Sequence, residues 1–233
     1  MSKLGELFSD DYNFETLVVP AMVIAIPIMV VLGLFGVNVS WLVGFAVLGI
    51  ELVLFPLWLM ASWIRDTGKA LELKLFPNGL PTHTALRLTN GSDYDARTRR
   101  QRLEAVTGVA LATLQEEQAD SDDADARIRD AMAVAREKMR STADFKLLRR
   151  ELKSYGFWRN MAASRRLGIW TTSACALLAV AALFVMSAVK LPLAALVCST
   201  VMLSYWLFAV GNGKVSSAAE RYKKQFFNSL TTL

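Results

Sequence analysis

Closely spaced arginines are the clearest sign of binding chemistry in this sequence. Four of them lie at the start of a predicted helix, away from the long apolar stretches. They are Arg97, Arg99, Arg100 and Arg102. Cations are unfavourable at the positive end of a helix, whereas guanidinium groups bind phosphate and carboxylate through paired hydrogen bonds. The run therefore predicts an anion-binding surface, and we expect Arg149 and Arg150 to join it in the fold.

The expected ligand of this surface is an anion or an acidic partner. A nucleotide, another small phosphorylated ligand or a cytoplasmic protein with acidic residues would suit guanidinium groups. Few aromatic side chains surround the run, so we do not expect long nucleic acid. The alternative is a solvated helix face, on which Asp93, Asp95 and Glu104 pair with the arginines.

Catalytic and metal-binding patterns find little support. His83 is the only histidine, and we interpret Thr82–His83–Thr84 as part of a strand surface rather than a site. No nucleophile elbow or glycine-rich phosphate loop is present. Four aspartates resemble a metal loop but fit the start of a helix better, namely Asp120, Asp122, Asp123 and Asp125. We expect no enzymatic activity, no metal and no cofactor.

Four apolar stretches define the class of the protein. Helices need about 20 apolar residues to cross a bilayer, and the stretches have that length. They are Leu17–Phe35, Trp41–Trp63, Leu167–Val189 and Leu191–Val210. The predicted fold is an all-α polytopic membrane protein with two pairs of transmembrane helices and a helical cytoplasmic domain inserted between spans two and three.

The predicted domains follow from these stretches. An N-terminal segment, 1–16, precedes spans one and two, 17–64. The cytoplasmic domain covers 65–166, spans three and four cover 167–210, and a cytoplasmic tail covers 211–233.

Glu51 is the only charged residue inside the four stretches. An ionised carboxylate near the middle of a span costs about 3 kcal/mol even on lenient insertion scales. Glu51 must therefore be neutral, paired or in contact with water. Three interpretations remain open: a neutral hydrogen-bonding group between helices, a ring of carboxylates in an oligomeric pore, or a proton or cation relay.

The distribution of basic residues predicts the topology. The segment 65–166 holds 20 of the 26 lysines and arginines, and the loop between spans one and two holds none. Basic loops stay in the cytoplasm, so both termini and the central segment are expected there. Five cations next to span ends are expected to contact lipid headgroups: Arg65, Lys69, Arg159, Arg165 and Arg166.

Periodicity predicts three helices in the cytoplasmic segment. The first runs from about Ala96 to Glu117 and the second from about Asp122 to Arg140. A third begins near Ala143 and continues, with or without a break at Gly156, into span three. The stretch Ala70–Phe76 either prolongs span two as a helix or forms a hairpin strand. Residues 81–88 are expected to be extended in both cases.

Spans three and four are joined by so short a link that they must form an antiparallel hairpin. Small residues give each span a face for close approach. These are Cys175, Ala179 and Ala182 in one span, and either Ala194 with Cys198 or Ala195 with Ser199 in the other. The two cysteines differ in predicted depth, so we expect no disulfide between them.

The segment Lys153-Ser154-Tyr155-Gly156-Phe157-Trp158-Arg159-Asn160, followed by Arg165-Arg166-Leu167-Gly168, resembles a group of uncharacterised bacterial inner-membrane proteins. The resemblance covers the two-span, domain, two-span layout, with detailed likeness over about 15 residues, and it implies no known activity. The layout is also similar to small four-span membrane effectors of anti-phage defence systems. In those effectors a cytoplasmic module senses a signal and the spans permeabilise the membrane.

These observations predict a non-enzymatic protein of the bacterial inner membrane. The cytoplasmic domain is expected to bind a partner or anionic signal, and the spans to form a homo-oligomer in contact with membrane lipids. A pore-forming sensor and effector in defence is the leading hypothesis. The alternatives are a structural or scaffolding subunit of a larger complex and a small proton or cation transporter.

Overall fold

A computed structural model describes residues 10–34, 50–89, 94–140, 145–187 and 189–233, apart from the side chains of residues 34, 50–55 and 57. Every regular element in these ranges is helical. Helix α1 combines the turn Asp11–Asn13, the π-helical turn Phe14–Val18 and the α-helix Val19–Leu34. The others are α2 (Ile50–Leu75), α3 (Pro81–Thr84), α4 (Tyr94–Thr107), α5 (Leu114–Ala119), α6 (Ser121–Arg140), α7 (Lys146–Val185), α8 (Lys190–Ser204, continued by a π-helical turn Tyr205–Ala209) and α9 (Asn212–Ser229).

The chain divides into two compact units. The membrane unit comprises Met1–Glu72 with Gly156–Val215, and the hydrophilic unit comprises Leu73–Tyr155 with Ser216–Leu233. The boundaries predicted from the sequence differ from these, because they gave a cytoplasmic domain over 65–166 and a separate tail over 211–233. Most of that tail folds as α9, whose aromatic residues Tyr222 and Phe226 are buried in the hydrophilic unit.

Among the described residues, three helical segments are long and apolar enough to cross a bilayer. They are Asp11–Gly33, Lys146–Val185 and Lys190–Ala209. The second predicted span, Trp41–Trp63, begins outside the described residues, and its described part belongs to α2. Glu51 lies in α2, but its side chain is outside the described part of the chain. The described helices therefore give an all-helical structure with three candidate membrane spans.

The membrane unit buries its packing residues and exposes large apolar ones. Ile24, Ile64 and Trp206 are fully buried, whereas Phe184 is 87% exposed and Phe208 is 85% exposed. Apolar exposure of this size on a candidate span is what contact with lipid tails requires. In this unit, therefore, polar backbone groups are bonded within helices and large apolar side chains are exposed on the surface.

The predicted small-residue faces of α7 and α8 are confirmed. Ala179, Ala182 and Ala195 form one buried cluster. Ser199 is also buried, while Ala194 is exposed, so the Ala195 and Ser199 face is the buried one. Both cysteines are free thiols, as expected from their predicted difference in depth.

A buried asparagine holds the π-helical turn of α1. Asn160 of α7 is fully buried, and its Nδ2 donates to the carbonyl oxygen of Thr16 at 2.7 Å. A π-helical turn changes which carbonyl groups have partners within the helix, so side chains from neighbouring helices often complete them. Gly68 of α2 permits this approach, because a Cβ at that position would overlap the Asn160 amide.

The hydrophilic unit has one apolar core formed by parts of α4, α6, α7 and α9. Its buried residues include Leu103, Ile128, Phe145, Leu148 and Phe226.

The predicted second helix is confirmed, since its core residues Ile128, Met132, Ala135 and Met139 are all buried in α6. The predicted third helix is also confirmed, and α7 passes through Gly156 without a break. Ala70–Leu75 is helical, so of the two interpretations of this stretch the helix that prolongs α2 is the one observed.

The first predicted helix is wrong in its second half. Helix α4 ends at Thr107, and Gly108 adopts a positive φ of 72°, a conformation that glycine takes at little cost. A new helix, α5, starts after Thr113, which forms a reciprocal capping box with Glu116. Leu111 and Ala112 in the connection are buried, whereas Leu114, the first residue of α5, is exposed.

The extended conformation predicted for residues 81–88 is also wrong. Pro81–Thr84 forms the single helical turn α3, in which the Leu80 carbonyl oxygen accepts hydrogen bonds from the amides of His83 and Thr84. Proline favours the first position of a helix, where its missing amide is not needed.

Candidate functional site

The arginines of α4 point to different sides of the helix. Arg97 and Arg102 are exposed, Arg99 is partly buried and Arg100 is buried. Neighbouring residues on a helix are about 100° apart, so a run of adjacent arginines cannot share one face. The predicted cluster is therefore split between the surface and the interior of the hydrophilic unit.

Arg100 binds the protein itself. Its Nη1 donates to the Leu86 carbonyl oxygen at 2.7 Å and lies 3.4 Å from Glu117 Oε2, while Nη2 donates to the Ala112 carbonyl oxygen. Its side chain is 7% exposed and that of Glu117 is 3% exposed. We therefore assign Arg100 to the internal structure of the hydrophilic unit.

Glu117 receives hydrogen bonds from the segment that follows α3. The amides of Leu88 and Thr89 each donate to its carboxylate at 3.1 Å, and Thr89 Oγ1 donates at 2.7 Å. Burial acts to raise the pKa of Glu117, but these hydrogen bonds and Arg100 outweigh it and leave the pKa below its ordinary value. The Arg100 and Glu117 pair thus joins two irregular segments, the one after α3 and the one between α4 and α5, through charge-assisted hydrogen bonds.

Arg149 and Arg150 lie on the exposed first turns of α7. Arg149 donates to the carbonyl oxygen of Arg140, the last residue of α6, and Arg150 Nη2 lies 3.7 Å from Glu151 Oε1. Cations near the end of a helix stabilise its unpaired carbonyl groups. Arg149 therefore caps α6.

Arg99 contributes to a recess between α4 and α9. The recess has a volume of about 430 Å³, and we call it the Phe227 recess. Its lining residues are Arg99, Glu220, Arg221, Lys223, Lys224, Phe227 and Asn228. The Arg99 guanidinium lies 5.4 Å from the centre of the Phe227 ring, within the range of a cation–π interaction. Four cationic side chains and one carboxylate thus surround the Phe227 ring.

Most cations of the Phe227 recess have one acidic partner, which is exposed for Arg99 and Lys223 and partly buried for Arg221. Arg99 Nη2 lies 3.4 Å from Asp95, Arg221 Nε lies 3.1 Å from Glu151, and Lys223 pairs with Glu220. Within the described part of the chain, Lys224 has no ion pair. Solvent-exposed ion pairs contribute about 0–1 kcal/mol, so an incoming anion can replace these partners at little cost.

The sequence reasoning missed the cations of α9, because it assigned them to a tail. The signal was the apolar period of that segment, in which Val215, Ala218, Tyr222 and Phe226 recur at helical spacing and are all buried. Lysines and arginines between these positions must then lie on the solvent side of a packed helix. The same period places Phe227 at the edge of the core.

The five cations predicted to contact lipid headgroups differ in their surroundings. Arg159 Nη1 lies 2.7 Å from Glu72 Oε2, and Arg65 Nη2 lies 3.4 Å from Asn13 Oδ1. Arg165 donates to the carbonyl oxygens of Trp206 at 3.0 Å and Leu207 at 2.9 Å. Lys69 and Arg166 are exposed.

The aspartates at the start of α6 act in different ways. Asp120 Oδ1 accepts hydrogen bonds from the amides of Asp122 and Asp123, as a helix cap does. Asp125 pairs with Arg87 on the other side of the helix. No group of three or more potential metal ligands occurs among the residues that the structure describes.

Comparisons of this chain with protein-family models, with curated proteins and with solved structures found no match.

Proposed function

We propose that this chain is a non-enzymatic membrane protein whose hydrophilic unit binds an acidic segment of a partner protein in the Phe227 recess. The observation that carries the proposal is the set of four cations around one aromatic ring. Interfaces often combine arginine with an aromatic anchor, and complementary charge speeds association. The carboxylate that lines the recess, Glu220, is paired with Lys223, so binding is the activity that the chemistry of the recess favours.

An acidic peptide suits the recess better than a small phosphorylated ligand. Its cations come from separate helices, and several are well exposed, Arg221 being 51% exposed in its side chain. A small anion contacts only one or two of them at a time, whereas an extended segment with several carboxylates can replace the acidic partners of Arg99, Arg221 and Lys223 together. The Phe227 ring then packs against apolar atoms of the same segment.

Charge reversal in the recess is the test of this proposal. We expect Arg99→Glu with Lys224→Glu to weaken binding of a labelled polyglutamate peptide to the full-length protein in detergent by at least about tenfold. The measurement is fluorescence anisotropy at low and high salt, because screening must weaken a charged interface.

Arg97→Glu with Arg102→Glu is the matched control. It changes the net charge equally, and both residues lie on α4 as Arg99 does, but neither residue lines the recess. We expect a loss of less than about threefold, as for exposed charges at a distance. Equal loss in both double variants, or no binding by the unmodified protein, would contradict the proposal.

The second part of the proposal is that the membrane helices self-associate around Glu51 and conduct ions when a partner binds. It rests on the sequence position of Glu51 in an apolar stretch and on the layout of the chain. We expect the protein in mild detergent to have a mass of several chains. Overproduction in cells should depolarise the membrane, and Glu51→Gln should reduce that effect.

Asp66→Asn is the control for Glu51→Gln. Asp66 also lies on α2 but is exposed beyond the apolar stretch, so its substitution should leave depolarisation unchanged. A monomeric particle together with an unaltered membrane potential would refute self-association and ion conduction. That outcome would favour a scaffolding subunit, which the peptide-binding measurement tests separately.

A further inference from the structure

A second cavity in the hydrophilic unit lies beside the only histidine. It is formed by the turn Pro77–Leu80, by α3 and by one face of α6, and its volume is about 380 Å³. The cavity has none of its lining residues in common with the Phe227 recess. We call it the His83 cavity. Its size is within the range of cavities that hold small ligands, about 300–1,000 Å³.

Two polar side chains of the His83 cavity lack hydrogen-bond partners. Thr82 is 1% exposed, and its Oγ1 is buried without a partner among the described residues. Neither ring nitrogen of His83 makes a hydrogen bond of normal geometry, and Nε2 lies 3.7 Å from Asp125 Oδ1. Leaving a buried polar group unpaired is costly, so such groups commonly mark a ligand or water position.

The cavity carries a net positive charge. Arg87 binds Asp125 in a bidentate pair, in which Nε donates to Oδ1 at 2.9 Å and Nη2 donates to Oδ2, so this carboxylate is already neutralised. Arg129 makes no ion pair within the described ranges, and Arg136 bonds only the Met132 carbonyl oxygen through Nε. Both arginines therefore have guanidinium N–H groups free to bind a ligand in the cavity. The other two charges of the cavity, those of Arg87 and Asp125, neutralise each other.

The turn at Gly79 brings the backbone close to His83. Gly79 has a φ of +93°, and a Cβ there would lie 3.0 Å from His83 Nδ1. Glycine therefore permits both the left-handed turn and the close approach. Burial lowers the pKa of His83, although Asp125 opposes this, so the ring is neutral near pH 7. A neutral imidazole offers one donor and one acceptor to a ligand.

We propose that the His83 cavity binds a small phosphomonoester, with Arg129 and Arg136 at the phosphate oxygens and Thr82 and His83 at the hydroxyl-bearing remainder. Guanidinium edges match phosphate oxygens in geometry and charge. A hydroxyl group of the ligand can both donate to the neutral imidazole and accept from it, which a purely anionic ligand cannot do. The site is independent of the proposed docking of an acidic peptide.

Ligand binding to the full-length protein in detergent tests the proposal. Glycerol 3-phosphate and adenosine monophosphate are the probes, glycerol and adenosine are the uncharged controls, and calorimetry is the measurement. We expect binding of at least one phosphomonoester and of neither control. Arg129→Gln with Arg136→Gln should weaken that binding at least about tenfold, because each free guanidinium edge donates to charged oxygens.

Three further variants make the result specific. Arg127→Gln with Arg140→Gln removes equal charge from the same helix outside the cavity and should leave binding unchanged. The recess variant Arg99→Glu with Lys224→Glu should also leave it unchanged. Thr82→Val keeps the shape of the side chain but removes the unpaired hydroxyl. It should raise the melting temperature of the ligand-free protein and weaken binding of the phosphomonoester.

Several outcomes would overturn the proposal. One is that neither phosphomonoester binds the unmodified protein at millimolar concentration. Another is that inorganic phosphate competes as well as the whole ligand does, which would leave the hydroxyl-bearing part without a role. A third is equal weakening by the Arg127 and Arg140 control. Failure of the peptide to bind the Phe227 recess would leave this proposal standing, because the two sites have no lining residue in common.

Discussion

Arg100→Ala is expected to destabilise the hydrophilic unit by about 3–5 kcal/mol, the usual range for removing one partner of a buried ion pair. The carbonyl groups of Leu86 and Ala112 would lose their donor, and Glu117 would remain buried without its cation. The measurement is hydrogen exchange of the full-length protein in detergent. Protection should fall throughout α4 and α6.

Two variants separate this result from a general effect of lost charge. Arg102→Ala removes an exposed arginine from the same helix and should change stability by less than about 0.5 kcal/mol. Arg100→Lys keeps the charge but cannot reach two carbonyl groups and a carboxylate with one ammonium group, so it should restore little stability. Unchanged protection in Arg100→Ala would contradict the structural role of this residue.

Acidification provides an independent check of the same pair. The pKa of Glu117 lies below the ordinary value of 4.5, so its carboxylate stabilises the folded state fully above that pH. The contribution is lost as the pH falls from 4.5 through the lower pKa of the folded state, because the unfolded chain takes up the proton first. Glu117→Gln should make stability less dependent on pH in that window.

Gly168→Ala is expected to destabilise the membrane unit by about 1–3 kcal/mol, as overpacked cores do. A Cβ on Gly168 of α7 would overlap the indole ring of Trp206, which is itself fully buried. A ring surrounded on all sides cannot move without displacing a helix. The measurement is unfolding of the purified protein by a denaturing detergent.

A double-mutant cycle identifies the cause of that loss. With Trp206→Leu in place, adding Gly168→Ala should cost much less, because the clashing ring is gone. Gly213→Ala is the matched control, since no described atom lies within 4 Å of a Cβ at that position in α9. It should leave stability unchanged or raise it slightly. Equal loss from both alanine substitutions would show that steric overlap is not the cause.

Strict helical periodicity made some elements predictable. The core positions of α6 recur at intervals of three and four residues, so its bounds and its buried face follow from the sequence. The end of α4 also had local signals, in Gly108 and in the Thr113 and Glu116 capping box, but an apolar pattern across them suggested one longer helix. At this point of the chain, capping interactions rather than apolar periodicity determine where the helices end and begin.

The candidate binding surfaces were less predictable, because they depend on tertiary contacts. Adjacent arginines of α4 differ by about 100° around the helix, and only the positions of the Leu86 and Ala112 carbonyl groups decide that Arg100 is the buried one. The Phe227 recess requires α9 to pack in the hydrophilic unit, and the His83 cavity requires α3 to be helical. Neither condition is visible in the spacing of charged residues.

Arg165 contributes to two properties that a count of basic residues does not distinguish, the orientation of the chain in the bilayer and the alignment of neighbouring helices. Its guanidinium fork completes carbonyl groups of the π-helical turn that ends α8, so the chain itself fixes where this helical end lies along α7. A lysine at position 165 would count equally in the distribution of basic residues, yet one ammonium group would serve the two acceptors less well. Orientation in the bilayer and vertical alignment of neighbouring helices can therefore change separately at a single position.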